Sequence, residues 1–310
     1  MDGVPLVFVE SVIRNSDIDA SEKLQQLSSA WGQVGEVQKK NVGQLFLSFV
    51  PHYKDGHKEW HLHYAMKGFD HIKTRTLSPE VVKEMSKSIT SIDFEETWSV
   101  DLAWHSVSPD DVDLLQLITI LDAPVKELDI NEATDYHGIS LFVELRSKYV
   151  NLLRSFTSLR LTYFEDTRLM EDTIFAPRVR SVNVDPDWEC WKGTGPISFW
   201  VDFFFSEQCT RLKLDDLDVA LGLIKHWQKM DPRPLKYSKL LHGIYGSLED
   251  LKDIKMREIN LKETKTPLTV RQQNHIESLH CIDHPVDPSS KIYVLVYRDW
   301  RNHGVDLLFE

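Results

Sequence analysis

A six-residue pattern, apolar at its first, fourth and sixth places, recurs seven times along this 310-residue chain, and it limits the choice of fold more than any other feature. The copies are Ile89-Ile92-Phe94, Val125-Leu128-Ile130, Phe156-Leu159-Leu161, Val179-Val182-Val184, Cys209-Leu212-Leu214, Met256-Ile259-Leu261 and Ile276-Leu279-Cys281. Successive copies start 36, 31, 23, 30, 47 and 20 residues apart, and the longest gap leaves room for a weaker copy at Leu235-Ser238-Leu240. Short apolar strands at such intervals cannot each bury a face alone, but stacked units can share one core. Helical periodicity fills most of the intervals, at 110–121, 139–153, 197–205 and 218–229. The predicted unit is a strand followed by a helix, and the predicted class is α/β.

The pattern has neighbours of different character on both sides. Two runs with strand-like alternation, Gln44 to Pro51 and Glu59 to Met66, flank the turn signal Lys54-Asp55-Gly56 and read as a hairpin over 44–66. Ser78-Pro79-Glu80 and Ser108-Pro109-Asp110 place a serine cap before a proline, which predicts two helix starts. At the other end, Ile292, Val294 and Val296 alternate and lead through Asn302-His303-Gly304 into Val305 to Phe309, a second hairpin over 291–310 that would cap the last repeat. The expected organisation is therefore a helical module over 1–43 and a repeat region over 44–310, with the repeats themselves at 78–284.

Composition narrows the partners. With 48 acidic against 36 basic side chains the net charge is -12, which repels a phosphate backbone, and no basic stripe compensates; nucleic acid is not an expected partner. No run approaches the roughly 18 apolar residues that span a bilayer, so no membrane association is expected. Cys190, Cys209 and Cys281 are odd in number and form no C-x-x-C pair, and they read as free thiols in a reducing compartment, cytoplasm or nucleus.

Signals for chemistry are weak. His61 and His63 would share one strand face with His57 nearby, but no acidic or cysteine ligand stands at zinc-like spacing, and His275, His280 and His284 around Cys281 are no better placed. Gly193-Thr194-Gly195 lacks the rest of a phosphate loop. No nucleophile elbow, metalloprotease helix, kinase signature or dinucleotide fingerprint occurs, so the chain reads as no enzyme, with neither cofactor nor metal expected. The cluster Phe199, Trp200, Phe203, Phe204, Phe205 has the spacing of a buried helix.

Two features point toward a family. Val4-Pro5, Leu6, Phe8-Val9 and Val12-Ile13 are followed by a stripe at Leu24, Leu27, Trp31 and Val34, with Ser28 beside it. This arrangement resembles the F-box, and more closely the divergent F-box-like proteins expanded in nematodes. The six-residue pattern resembles an irregular leucine-rich-repeat solenoid, although the usual asparagine after the strand is missing. The resemblance implies a substrate receptor of an SCF-type cullin-RING ubiquitin ligase. Pro5, Leu6, Phe8, Val9, Val12, Leu24, Leu27 and Trp31 would engage a Skp-type adaptor, and the repeats would hold a target protein for degradation or, as in a toxin's antidote, neutralisation. Strand alternation nominates Glu127, Asp129, Asn131, Ser158, Arg160, Thr162, Ser181, Asn183, Asp185, Arg211, Lys213, Asp215, Glu258, Asn260 and Lys262 for the target-binding face. The alternative is a stand-alone scaffold or inhibitor that recruits no ligase, its N-terminal helices serving only as a cap.

Overall fold

The computed structural model describes residues 41–54, 57–94, 104–108, 111–131, 149–163, 173–184, 196–235, 237–245, 248–260, 275–297 and 304–310. The chain forms two compact units, one made of Met1–Ile130 with Thr134–Ser158 and the other of Asn131–Ala133 with Leu159–Glu310. Both are mixed α/β, with an open sheet and few helices among the described residues.

In the first unit β1 (Gly43–Lys54) and β2 (His57–Gly68) form a long antiparallel hairpin, closed by Lys54 opposite His57. The two alternating runs of the sequence lie on these strands. β3 (Ile89–Phe94) joins β1 in parallel, β5 (Val125–Asn131) joins β3 in parallel, and β4 (His105–Val107) covers the outer edge of β2. The order is β5-β3-β1-β2-β4. Helix α1 (Pro79–Met85) starts where the serine and proline predict, with Ser78 Oγ accepting the Val81 N–H at 3.3 Å. Helix α2 (Val112–Ile120) starts later than expected. Its cap is Asp111, whose side chain accepts from the Leu114 N–H at 3.0 Å and whose own N–H donates to the Ser108 carbonyl. Leu45, Leu47, Phe49, Leu62, Met85, Ile92, Leu128 and Phe156 form the core, where Phe49 meets Phe94 at 5.1 Å and Tyr149 at 4.7 Å.

The second unit carries the pattern furthest. β6 (Ser158–Tyr163), β7 (Ser181–Val184), β8 (Arg211–Lys213) and β9 (Lys239–Tyr245) are consecutive neighbours, with β7, β8 and β9 parallel. The pattern is in register across β7 and β8, where Val182 sits opposite Leu212. Strands β6, β7 and β8 begin at the third place of the pattern, so first-place Phe156, Val179 and Cys209 lie in the turn before the strand, and all three are buried. In β5, which begins at the first place instead, that residue turns outward: Val125 is 47% exposed, contrary to its expected core position, and Lys126 takes the buried place, whereas Ile89 at the start of β3 is buried. The weak copy does mark a strand, but Leu212 pairs with Leu241, so the aligned residues are Ser238, Leu241 and Gly243.

The last two copies are not part of the parallel series. β10 (Arg257–Glu258), β11 (Ile276–Asp283), β12 (Lys291–Tyr297) and β13 (Gly304–Phe309) are antiparallel to one another in chain order, and β13 then pairs antiparallel with β9. Short connections between β11 and β12 and between β12 and β13 allow only this arrangement, since parallel pairing needs a crossover of a dozen residues or more. The final hairpin therefore extends the sheet from β9.

Helices α3 (Ile197–Phe205) and α4 (Leu217–Trp227) pack on one face of this sheet, hereafter the back. The aromatic cluster is core as expected: Trp200, Phe203, Phe204 and Trp227 are fully buried, with Phe204 5.0 Å and Trp227 6.2 Å from Phe309 on β13. Each such side chain contributes roughly 1.5–3 kcal/mol of burial. Asp216 caps α4 through the Val219 N–H at 3.1 Å. His284 closes its other end: Nε2 donates to the carbonyls of Trp227 and Met230 while Nδ1 accepts from the Val286 and Asp287 N–H groups, an arrangement that fixes the ring in its Nε2–H tautomer.

The second place of the pattern has a structural role in five copies, those with Thr90, Lys126, Thr157, Thr210 and Lys239. Thr90, Thr157 and Thr210 each donate a hydroxyl to a backbone carbonyl of an earlier strand or its lead-in, namely Gly43, Lys126 and Arg180. Lys126 and Lys239 occupy the same place and turn inward. Lys126 Nζ donates to the Thr119 and Leu121 carbonyls at 3.0 and 2.9 Å, at the end of α2, and Lys239 Nζ donates to Ser206 and Cys209 carbonyls at 2.8 and 2.5 Å, beyond the end of α3. A cation there satisfies carbonyls left open by the helix and opposes its dipole.

Candidate functional site

The third and fifth places of each strand point away from the helices and define the front face. In the second unit they carry Arg160 on β6, Ser181 and Asn183 on β7, Arg211 and Lys213 on β8, and Leu240 and His242 on β9. Ser181 stands opposite Arg211, Asn183 opposite Lys213, and Lys213 opposite His242. Arg160 and Arg211 are exposed and the other polar members are half-buried.

His242 is the fixed point of this face. The pairing of β13 with β9 slips by one residue, so that His242 and Gly243 together oppose Asp306. Gly243 has a φ of 85°, which a glycine tolerates and other residues seldom do, and its N–H donates to Asp306 Oδ1 at 3.0 Å. The Asp306 side chain is 2% exposed, and its two oxygens lie 2.6 and 2.7 Å from His242 Nδ1. A carboxylate so buried is kept by multiple hydrogen bonds, and here Gly243, His242 and Tyr297 supply them. Burial first, and then the Asp306 charge, push the Tyr297 phenol well above its ordinary range. The His242 side chain remains 37% exposed, with no partner for Nε2 among the described residues.

An imidazole held by a buried carboxylate is a competent proton acceptor, but acyl transfer also needs a nucleophile in reach. Among the described residues no serine, threonine or cysteine hydrogen-bonds His242. Cys209 is buried, with its thiol pushed up to about 12 by desolvation, and Cys281 is likewise buried and shifted upward. Neither is an activated nucleophile. No group of three or more His, Cys, Asp or Glu side chains among the described residues is arranged to hold a metal ion. No helix among them is long and apolar enough to cross a membrane.

The corresponding face of the first unit has the opposite charge. Asp93 lies directly across from Glu127 on neighbouring parallel strands, and Asp129 follows on β5. Like charges facing each other on a sheet are unfavourable, and serines moderate this pair: Ser91 Oγ donates to Asp93 at 2.6 Å and Ser158 Oγ to Glu127 at 3.2 Å.

The nominated target-binding residues thus divide into groups. Glu127, Asp129 and Ser158 belong to the first unit, and Arg160, Ser181, Asn183, Arg211 and Lys213 share a face of the second. Asn131 ends β5, Thr162 lies within β6, and Asp215 follows β8, half-buried. Glu258 and Asn260 do not belong to this face. Glu258 pairs with His280, whose own partner is Val294, and that row continues through Leu307 to Leu241 on the back. β10 is also five strands from β8, about 24 Å at ordinary strand spacing. Asp185 and Lys262 lie outside the described residues, as do Pro5, Leu6, Phe8, Val9, Val12, Leu24, Leu27, Trp31 and the Gly193-Thr194-Gly195 turn. Sequence reasoning missed His242, Tyr297 and Asp306. The available signal was Gly243, because a glycine inside a strand marks a bulge.

No protein-family model matches the chain, and no curated protein or solved structure resembles it significantly.

Proposed function

We propose that the chain is a protein-recognition subunit and not a catalyst: the front faces of its sheets hold a target protein, and residues 1–43 recruit a Skp-type adaptor of an SCF-type ubiquitin ligase. The observation that carries the recognition reading is His242, locked by buried Asp306 beside Lys213 and Arg211 on a rigid sheet. Preorganised polar groups of this kind lose little freedom on binding, which favours specific recognition. The cationic face of the second unit suits an acidic region of a target. Recruitment of the adaptor rests on the pattern from Val4 to Val34 alone.

Both halves can be tested with the purified full chain and cells. Wild type is expected to retain the Skp-type adaptor in a pull-down, and a folded Leu6→Asp, Phe8→Asp variant to lose it. An Arg211→Glu, Lys213→Glu, His242→Ala variant is expected to keep the adaptor and to lose at least about tenfold of target capture, with the target accumulating in cells. If neither wild type nor variant binds adaptor, the chain is a stand-alone scaffold or inhibitor. Unchanged target capture by the triple variant would remove the front face from the proposal.

A further inference from the structure

The back of the second unit carries a groove that the front-face reading does not use. It runs between α3 and α4, has a volume of about 390 Å³, and has Ile197, Val201 and Gly222 as its apolar lining. Gly222 lets the two helices approach closely at its base: a Cβ at that position would stand 2.6 Å from Ile197 Cγ2, so any larger residue would displace Ile197. Ile197 is 42% exposed at the rim, an apolar side chain left at the surface of a helix that buries Phe199, Trp200, Phe203 and Phe204.

The walls are charged, and with the sign opposite to that of the whole chain. Lys225 and Lys229, both exposed, face Asp202 across the cleft, so the lining carries two lysines to one aspartate while the chain as a whole carries a net charge of -12. A helix of nine residues is about 13 Å long, room for two turns of a partner helix laid alongside. Apolar lining, cationic wall and this length together match the helix-in-groove mode of peptide recognition.

We infer that the groove between α3 and α4 is a second docking site, and that its occupant is an acidic amphipathic helix of a partner protein. One apolar residue of that helix would pack on the exposed flank of Ile197, and acidic residues one turn away would meet Lys225 and Lys229. The site is on the opposite side of the sheet from His242, so the two surfaces can be disabled separately.

The test uses the full chain and two fluorescein-labelled 14-residue helical peptides with the same leucine stripe, one flanked by glutamates and the other by lysines, followed by fluorescence anisotropy. The glutamate peptide is expected to bind at least about tenfold tighter than the lysine peptide. Lys225→Glu, Lys229→Glu should invert that preference, and Ile197→Asp should weaken both peptides, with circular dichroism showing each variant folded. Equal binding of the two peptides, no binding of the glutamate peptide at millimolar concentration, or a preference that survives the charge reversal would each overturn the assignment. Arg211→Glu, Lys213→Glu is expected to leave the affinity unchanged; a loss there would place the peptide on the front face and overturn it too.

Discussion

Asp306 holds Nδ1 of His242 at 2.6 Å across a one-residue slip between β13 and β9, and the two side chains define one another's chemistry. Asp306→Ala strands the Gly243 N–H and the Tyr297 hydroxyl as well as the imidazole, and is expected to cost about 2–4 kcal/mol in urea unfolding. His242→Ala should cost less, because His242 is partly exposed. A double-mutant cycle should return a coupling of at least about 1 kcal/mol. A coupling near zero would mean that the pair is incidental to the bulge.

The buried lysines support helix ends, and their removal tests that role. Lys126→Met keeps the apolar stem and deletes the ammonium, leaving the Thr119 and Leu121 carbonyls without it; Lys239→Met does the same to Ser206 and Cys209. Each is expected to cost about 1–3 kcal/mol, read as a lower denaturation midpoint with an unchanged slope. Substitution of exposed Lys252 should change the unfolding free energy by less than about 0.5 kcal/mol.

Gly43 is held to glycine by contact. A Cβ there would lie 2.3 Å from Cδ2 of Phe69, which is fully buried and has a φ of 54°. Left-handed backbone costs a non-glycine residue about 1–2 kcal/mol, and burial of the ring outweighs it. Gly43→Ala is expected to destabilise by about 2–4 kcal/mol. In a Phe69→Ala background the Gly43→Ala penalty should shrink, because Cγ, Cδ2 and Cε2 are all gone; an unchanged penalty would show the strain to be in the backbone.

Cys209 makes stability depend on alkaline pH. Its folded thiol is pushed up to about 12 by burial, so the folded state keeps the proton where the unfolded chain releases it. The contribution is complete below the unfolded value near 9 and falls as pH rises from there toward 12. Relative to Cys209→Ala, wild type should lose about 2–3 kcal/mol between pH 8 and pH 11. Lys239, lowered by burial and raised in part by Cys209, contributes with the opposite sign, so the comparison reads the thiol together with its coupling to Lys239. A pH-independent difference would show that Cys209 meets water in the folded state.

What could be read in the sequence follows from how local its causes are. The two hairpins, the Ser78 cap and the aromatic face of α3 were legible because alternation, capping and helical spacing act within a dozen residues. Parallel pairing of β7, β8 and β9 was foreshadowed by a repeated pattern, itself a record of equivalent environments. The direction of β10 and β11 was not, since Met256-Ile259-Leu261 and Ile276-Leu279-Cys281 satisfy the same pattern in antiparallel strands, and only the short connection from β11 to β12 gives the direction away. The second-place threonines and lysines were in plain view, but their meaning depends on carbonyls supplied by other segments. Asp306 and His242 are 64 residues apart and meet only because of a bulge.

β13 lies between β12 and β9, so the edge of β9 stays open during synthesis until residues 246–303 have been added and β13 can reach it. At ribosomal speeds of about 5–20 residues per second that interval lasts several seconds, long enough for an exposed strand to find a neighbouring nascent chain. The inward-turned Lys239 at the start of β9, and Gly243, which kinks its far end, break the flat apolar edge that such an encounter would need. The same two residues that shape the finished sheet thus also protect it while it is unfinished.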